Sequence, residues 1–275
     1  MTLRILSYNI LAGGEDRLPL LLSVIKKQQP DVIALLEARS RSHAAMLAQQ
    51  LGMDLTIGEA NNGKDHVVWL SRLPVIRRKN HALPVFAKTL LEIEIVWEGM
   101  PFALFATHLK AGQDQEREHY RVAEIQAALK IFHALGEQPH VLVGDLNTVH
   151  PTDQPNVPAY VTILRKRGDT LDPHFPRQVI PLLLEAGYVD CYRTLFPAVP
   201  GYTSDPAHPA LRIDYIFASP SIAPRLRACD LVTGAEAHIA SDHFPIWAEF
   251  RESSYEALST PNDEERYRDR DTQER

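Results

Sequence analysis

Apolar residues in this chain gather into short, nearly continuous runs, and most of the runs end on a polar side chain. Leu3 to Tyr8 ends on Asn9, Val32 to Leu36 on Glu37, Pro101 to Ala106 on Thr107-His108, and Val141-Leu142-Val143 passes through Gly144 into Asp145-Leu146-Asn147. Aliphatic runs without alternation read as strands buried on both faces. Between them, apolar spacing of three and four predicts helices over Leu18–Gln29, stopped by Pro30, and over Ser42–Leu51, closed by Gly52. Further helices are predicted over Asp114–Leu135, where Ile125, Ala128, Leu129 and Phe132 share a face, and over Ile180–Ala186 before Gly187 and Val189-Asp190. The charges near the start of the third helix, Glu116, Arg117, Glu118 and Arg121, read as its solvated face.

Four more strands complete the pattern. Asn61-Asn62-Gly63 is a turn that leads into a strand over Val67–Arg72, and Leu90–Trp97 alternates Leu91, Ile93 and Ile95 with Glu92 and Glu94, as a strand with one wet, acidic face should. Leu211–Ala218 reads as a strand interrupted by Asp214, and Pro245–Phe250 follows Ser241-Asp242-His243. The order strand, helix, strands occurs twice, over residues 1–135 and 136–250, which predicts two packed sheets flanked by helices in one domain spanning 1–251. From residue 252 to 275 the chain is charge-dense and nearly free of apolar residues, and reads as a disordered tail.

Composition narrows the function classes. With 275 residues, 45% hydrophobic and 23% charged, the chain can bury the core of one large α/β domain. A net charge of −6 argues against a protein that relies on non-specific attraction to polyanions, so nucleic acid is permitted as a partner but not indicated. Cys191 and Cys229 are too few for a disulfide framework, the chain opens without a basic-then-apolar leader, and no run reaches membrane-spanning length. The expectation is a soluble cytoplasmic monomer with reduced thiols and no membrane insertion.

The polar residues at the strand ends are the candidate chemistry. Asp145 and Asn147, two apart, would share a face of a strand and clamp a metal-bound or phosphate oxygen, or else form an Asx-turn. Asn9 either bonds its own turn or reaches into a shared cleft. Glu37 closes a buried run, where a carboxylate requires a partner: an ion pair with Arg39 or Arg41, or a metal ion. His108 is a satisfied core residue or a catalyst. Asp214, inside a strand, also demands a partner, and Arg212 would share its face. Asp242 and His243 add to this set. Thr148 to Arg177 is rich in Pro and turn residues, with Arg165-Lys166-Arg167 in its middle, and is either a substrate-facing loop or mobile surface.

In order along the chain, Ser7-Tyr8-Asn9, Leu36-Glu37, Thr107-His108-Leu109, Gly144-Asp145-Leu146-Asn147, Arg212-Ile213-Asp214-Tyr215-Ile216 and Ser241-Asp242-His243 resemble the motifs of the endonuclease/exonuclease/phosphatase superfamily, over residues 1–251. The resemblance implies an α/β (α+β) fold, a four-layer αββα sandwich of the deoxyribonuclease I type, that hydrolyses phosphoester bonds with Mg²⁺ or Mn²⁺. It implies His243 as general base, Asp214 orienting it, Asp145 positioning a water, Asn147 and His108 gripping phosphate oxygens, Glu37 and Asp242 as metal ligands, and Asn9 supporting metal or phosphate. Oxygen ligands suit a hard cation, and no Cys or spaced His cluster argues for zinc. Asp65 falls where deoxyribonuclease I places an acid paired with the corresponding histidine, so Asp65 is either a partner for His108 or an ordinary turn aspartate.

Departures from the subgroups leave the substrate open. Abasic-site endonucleases usually carry a Tyr/Asn-containing segment in place of Thr107-His108-Leu109. Inositol phosphatases usually show Trp-Cys/Thr-Asp-Arg where this chain has Ile213-Asp214-Tyr215, and the secretory disulfides of deoxyribonuclease I are missing. A nucleic-acid phosphodiesterase is the leading expectation and a lipid or small-molecule phosphoesterase the alternative. A binding module that merely kept the fold should have lost the base, a metal acid or the Asp145–Asn147 pair, and this chain has kept them all.

Overall fold

The computed structural model describes residues 2–167, 175 and 177–252. Its strands are β1 (Thr2–Asn9), β2 (Val32–Leu36), β3 (Asp54–Gly58), β4 (Val67–Ser71), β5 (Val75–His81), β6 (Leu90–Trp97), β7 (Met100–His108), β8 (His140–Asp145), β9 (Val189–Asp190), β10 (Asp214–Ala218), β11 (Leu226–Leu231) and β12 (Ile246–Arg251). The helices are α1 (Leu18–Gln28), α2 (Arg41–Leu51), α3 (Gln115–His133), α4 (Val157–Arg167), α5 (Val179–Glu185), α6 (Cys191–Leu195) and α7 (Ala237–Ala240). One sheet runs β11-β12-β1-β2-β4-β3 and the other β5-β6-β7-β8-β10-β9.

The sheets pack face to face over a shared core of alternate residues, with Leu3, Ile5, Val32, Ala34 and Trp69 from the first meeting Ile93, Leu104, Val141, Val143 and Ile216 from the second. Leu6, Tyr8, Ile33 and Leu35 point the other way, onto Leu21, Ile25 and Leu47 of α1 and α2. Phe105, Leu142, Tyr215 and Phe217 cover the outer face of the second sheet against Ile125 and Phe132 of α3 and Leu183 of α5. Strands buried on both sides explain the unbroken apolar runs, and the result is a four-layer αββα sandwich.

Several expectations are corrected. The sheets do not follow the chain halves 1–135 and 136–250: residues 2–71 and 226–251 build one sheet, and 75–218 the other. Polar strands β3, β5 and β11 escape the apolar pattern because they lie at or near sheet edges, where one side of the strand faces water. β10 begins at Asp214, so the acid starts the strand instead of interrupting it. Glu92 does not face solvent; it is buried and accepts His81 Nε2–H at 2.6 Å as well as an Arg77 guanidinium. Glu118 and Arg121 are fully buried, paired at 2.7 Å beneath the loop that follows β7. The segment 148–177 contains α4, whose Tyr160, Ile163 and Leu164 pack on Val149, Leu211 and Ile213. The expected tail lies outside the described residues except for Glu252. Among those described, no helix is long and apolar enough to cross a membrane.

Candidate active site

Strand register brings the polar ends together. β1 and β2 run parallel with Asn9 opposite Leu36, which puts Glu37 one residue beyond; β7 and β8 run parallel with His108 opposite Asp145; β8 and β10 run antiparallel with Asp145 opposite Asp214. Gly144 makes this possible. Its φ is 144°, and a Cβ there would lie 1.9 Å from the Thr107 carbonyl oxygen, so only glycine lets β8 approach β7 just before Asp145.

Asn9 is the bridge between the sheets. Its amide donates to Asp145 Oδ2 at 3.2 Å and to Glu37 Oε1 at 3.3 Å, while its Oδ1 accepts the Leu11 N–H. Glu37 has φ 57°, a left-handed conformation that disfavours a Cβ-bearing residue by roughly 1–2 kcal/mol. The Ala12 N–H fixes its other oxygen at 3.1 Å. Neither expected arginine neutralises it closely: Arg39 stands at 4.0 Å and Arg41 pairs with Glu59. Asn147 also has positive φ, 52°, and its N–H donates to Asp145 Oδ1 at 3.0 Å. The Asx-turn is therefore present, and the shared strand face is not, because β8 stops at Asp145. Both residues line one cleft even so, together with Glu37, His108, Asp242 and His243, around a volume of about 450 Å³.

His243 Nδ1 lies 2.7 Å from Asp214 Oδ2, and its Nε2 lies 3.9 Å from Asp145 Oδ2. A carboxylate accepts only, so the proton on Nδ1 is the one donated to Asp214, and Nε2 faces Asp145. Thr203 Oγ1 holds the start of β10 by accepting the Ile213 and Asp214 N–H groups at 3.0 and 3.1 Å. Ser241 Oγ donates to the Asn9 carbonyl at 2.6 Å, tying the Asp242–His243 turn to β1. Burial disfavours a charged His243, but the Asp214 carboxylate and its hydrogen bond, backed by Asp145 and Asp242, outweigh burial and raise its pKa. Burial, then the charge of Asp214, raises that of Asp145.

Burial, and after it the charges of Lys88 and His243, hold the pKa of His108 well below the ordinary imidazole value. Its Nε2 is 3.4 Å from Asp145 Oδ2, and its buried Nδ1 has no partner among the described residues. Asp65 does not supply one. It accepts Arg39 Nε–H at 2.7 Å and the Asn62 amide at 2.8 Å, because the 61–65 turn faces the Glu37–Arg39 segment. Arg212 likewise turns away from Asp214 and pairs with Asp153 and Asp190. Ser241 stands in the Ser241-Asp242-His243 motif, whereas Thr203 and Gln113, whose amide donates to the Asn147 carbonyl at 2.8 Å, gave no sequence signal, since isolated polar residues in loops look alike until the loops are folded.

The model of the endonuclease/exonuclease/phosphatase family matches residues 6–243, most of the chain. The chain belongs to that family. By family it is a phosphoester hydrolase. Solved structures share its fold at low identity: a 3'-5' exonuclease (NExo) from Neisseria meningitidis at 21% identity and TM-score 0.69, and an AP endonuclease from Archaeoglobus fulgidus at 20% and 0.68, each over 91% of this chain and 100% of the other. A D. rerio TDP2 complexed with single-strand DNA product aligns at 19% and 0.67, over 91% and 99%. No curated protein matches by sequence.

The donor set fits a metal ion of the kind this endonuclease/exonuclease/phosphatase fold implies. Asp242 Oδ1 is buried with no partner among the described residues, an orphaned acceptor that a cation satisfies. Ligand atoms of Asp145, Asp214 and His243 also lie within 4.8 Å of one another and could hold a metal ion. An ion there would displace the proton between His243 and Asp214, whereas Glu37 and Asp242 offer oxygens free of that bond.

Proposed function

We propose that the protein is a Mg²⁺- or Mn²⁺-dependent phosphodiesterase that acts on nucleic acid. The carrying observation is His243, hydrogen-bonded through Nδ1 to Asp214 and presenting Nε2 toward Asp145 in a cleft lined by Glu37 and Asp242. An exonuclease and an AP endonuclease of the same fold, and a TDP2 of that fold complexed with single-strand DNA product, support the choice of nucleic acid.

Glu37 and Asp242, with Asn9 in support, would hold the cation, which when bound supplies Lewis-acid stabilisation of the phosphoryl charge. Asn147 and His108 grip the non-bridging oxygens. Asp145 positions a water, His243 Nε2 takes its proton, and Asp214 holds the imidazole in the tautomer that can accept it. The water oxygen bonds to phosphorus as the ester P–O bond breaks. Neutralising the carboxylates that raise His243 moves it toward the neutral form a base requires. Residues 1–251 form the catalytic unit in this reading.

A panel of single- and double-stranded DNA, RNA, bis-p-nitrophenyl phosphate, sphingomyelin and phosphoinositides, each with Mg²⁺, Mn²⁺ or EDTA, tests it. Cleavage of nucleic acid that EDTA abolishes is expected. Cleavage of a lipid alone would transfer the site to the other substrate class, and turnover undiminished by EDTA would remove the metal.

A further inference from the structure

Two residues before Asp214, Arg212 carries a guanidinium with no solvent exposure at all. Its Nε–H donates to Asp153 Oδ2 at 2.8 Å, one terminal nitrogen to Asp153 Oδ1 at 3.2 Å and the other to Asp190 Oδ2 at 2.7 Å. The plane lies over the Tyr215 ring at 4.6 Å and the Tyr192 ring at 5.6 Å. Arg193 pairs with Asp153 as a second cation, so two carboxylates face two guanidinium groups and the buried charge is balanced. Asp190 also caps α6 by accepting the Arg193 N–H at 3.1 Å, and Tyr215 Oη–H donates to the Arg212 carbonyl at 2.9 Å.

The position of this cluster is what gives it a consequence. The ladder between β8 and β10 ends at Asp214; before it the Ile213 carbonyl accepts the Leu146 N–H and Leu211 bridges to Ser204, so Arg212 lies where the continuous ladder has stopped, and a strand end is ordinarily where a sheet frays. Here the end carries the acceptor for His243. Buried ion pairs are a weak means of stabilisation, because desolvation offsets most of their attraction, while a planar bidentate fork fixes direction well. We propose that Arg212, held by Asp153 and Asp190, is a positioning residue that fixes Asp214 and through it the imidazole of His243. This rests on the dyad reading of the proposed function.

The test uses the full chain with Arg212→Lys, which keeps charge but loses the fork, and Asp190→Asn, which keeps an N-cap for α6 but removes one carboxylate. Thermal unfolding establishes that each variant is folded, and kinetics are measured with and without His243→Ala. A fall in kcat of roughly 10- to 100-fold with KM nearly constant is expected, the scale of a misplaced reacting group, and it should vanish when His243 is already alanine. An equal loss in both backgrounds, or unchanged kcat in a folded variant, would overturn the proposal, since a purely structural residue acts alike in both. Proton and ¹⁵N NMR of the His243 ring supplies an arm independent of turnover: its Nδ1–H signal should shift or broaden in both variants, and an unaltered signal would refute positioning. A wild type that cleaves nothing in the substrate panel would defeat the proposed function, while the NMR arm still decides the role of Arg212.

Discussion

An acid and a base that share one hydrogen bond should fail together. His243→Ala is expected to lower kcat by about two to four orders of magnitude with substrate binding largely kept, and Asp214→Asn nearly as much by permitting the wrong tautomer. The double variant should be little worse than His243→Ala, and fully additive losses in steady-state kinetics would separate the two. Glu37→Gln should leave the fold intact and weaken Mg²⁺ binding; unchanged affinity in a calorimetric titration together with full turnover would rule it out as a ligand. At this scale the sequence exposes needs more readily than partners. That Glu37 and Asp214 required something was plain from an acid against an apolar run, and the structure supplies His243 at 2.7 Å for Asp214. Which partner answers depends on loops distant in sequence: Arg39 takes Asp65, and Arg212 goes to Asp153 and Asp190, 59 and 22 residues away. No spacing rule encodes such pairs.

Elements buried on both faces were legible, and those at edges or under loops were not. β2, β7 and β8 declare themselves by unbroken apolar runs, while β5, with Arg77-Arg78-Lys79 largely exposed, resembles a loop. Helix α3 misleads in the opposite sense, since Glu118, Arg121 and Glu124 look like a wet face and are instead buried, bonding the backbone of residues 87, 110, 112, 178 and 179. β8 starts with another buried polar group, His140, whose Nδ1–H meets the Gln138 carbonyl at 2.7 Å and whose Nε2 accepts Tyr188 Oη–H at 2.6 Å among Phe105 and Phe132. Burial lowers its pKa below 6.5. The unfolded chain then binds a proton that the folded chain refuses, so this contribution to stability is complete above pH 6.5 and is lost as pH falls below it. His140→Phe should therefore flatten the rise in urea-unfolding free energy between pH 5 and 6.5. At pH 7.5 it should cost about 1–3 kcal/mol by orphaning the Tyr188 hydroxyl. A pH dependence as steep as in the wild type would show that His140 is protonated in the fold.

At the scale of the molecule, the layers were readable but the division of chain between them was not, because apolar runs say that a strand is buried without saying beside which strand. β12 settles the first sheet by lying between β1 and β11, pairing Thr2 with Arg251 and Ser7 with Ile246. The last strand thus holds the first one, and His243, three residues before β12, is delivered to Asp214 by that pairing. Truncation should be tolerated or ruinous according to whether it cuts this strand. A chain ending after Glu252 keeps every pairing of β12, and the 23 residues it omits have too little apolar content to offset the entropy of ordering them. It should match the full chain in melting temperature and in kcat on the best substrate. A chain ending after Phe244 removes β12, which exposes the edges of β1 and β11 and leaves Leu3, Ile5 and Leu6 without a covering strand, and it should not fold. If the first truncation folded with the native melting temperature yet lost turnover, residues beyond Glu252 would have to contribute to the site directly, and the catalytic unit would extend past 1–251.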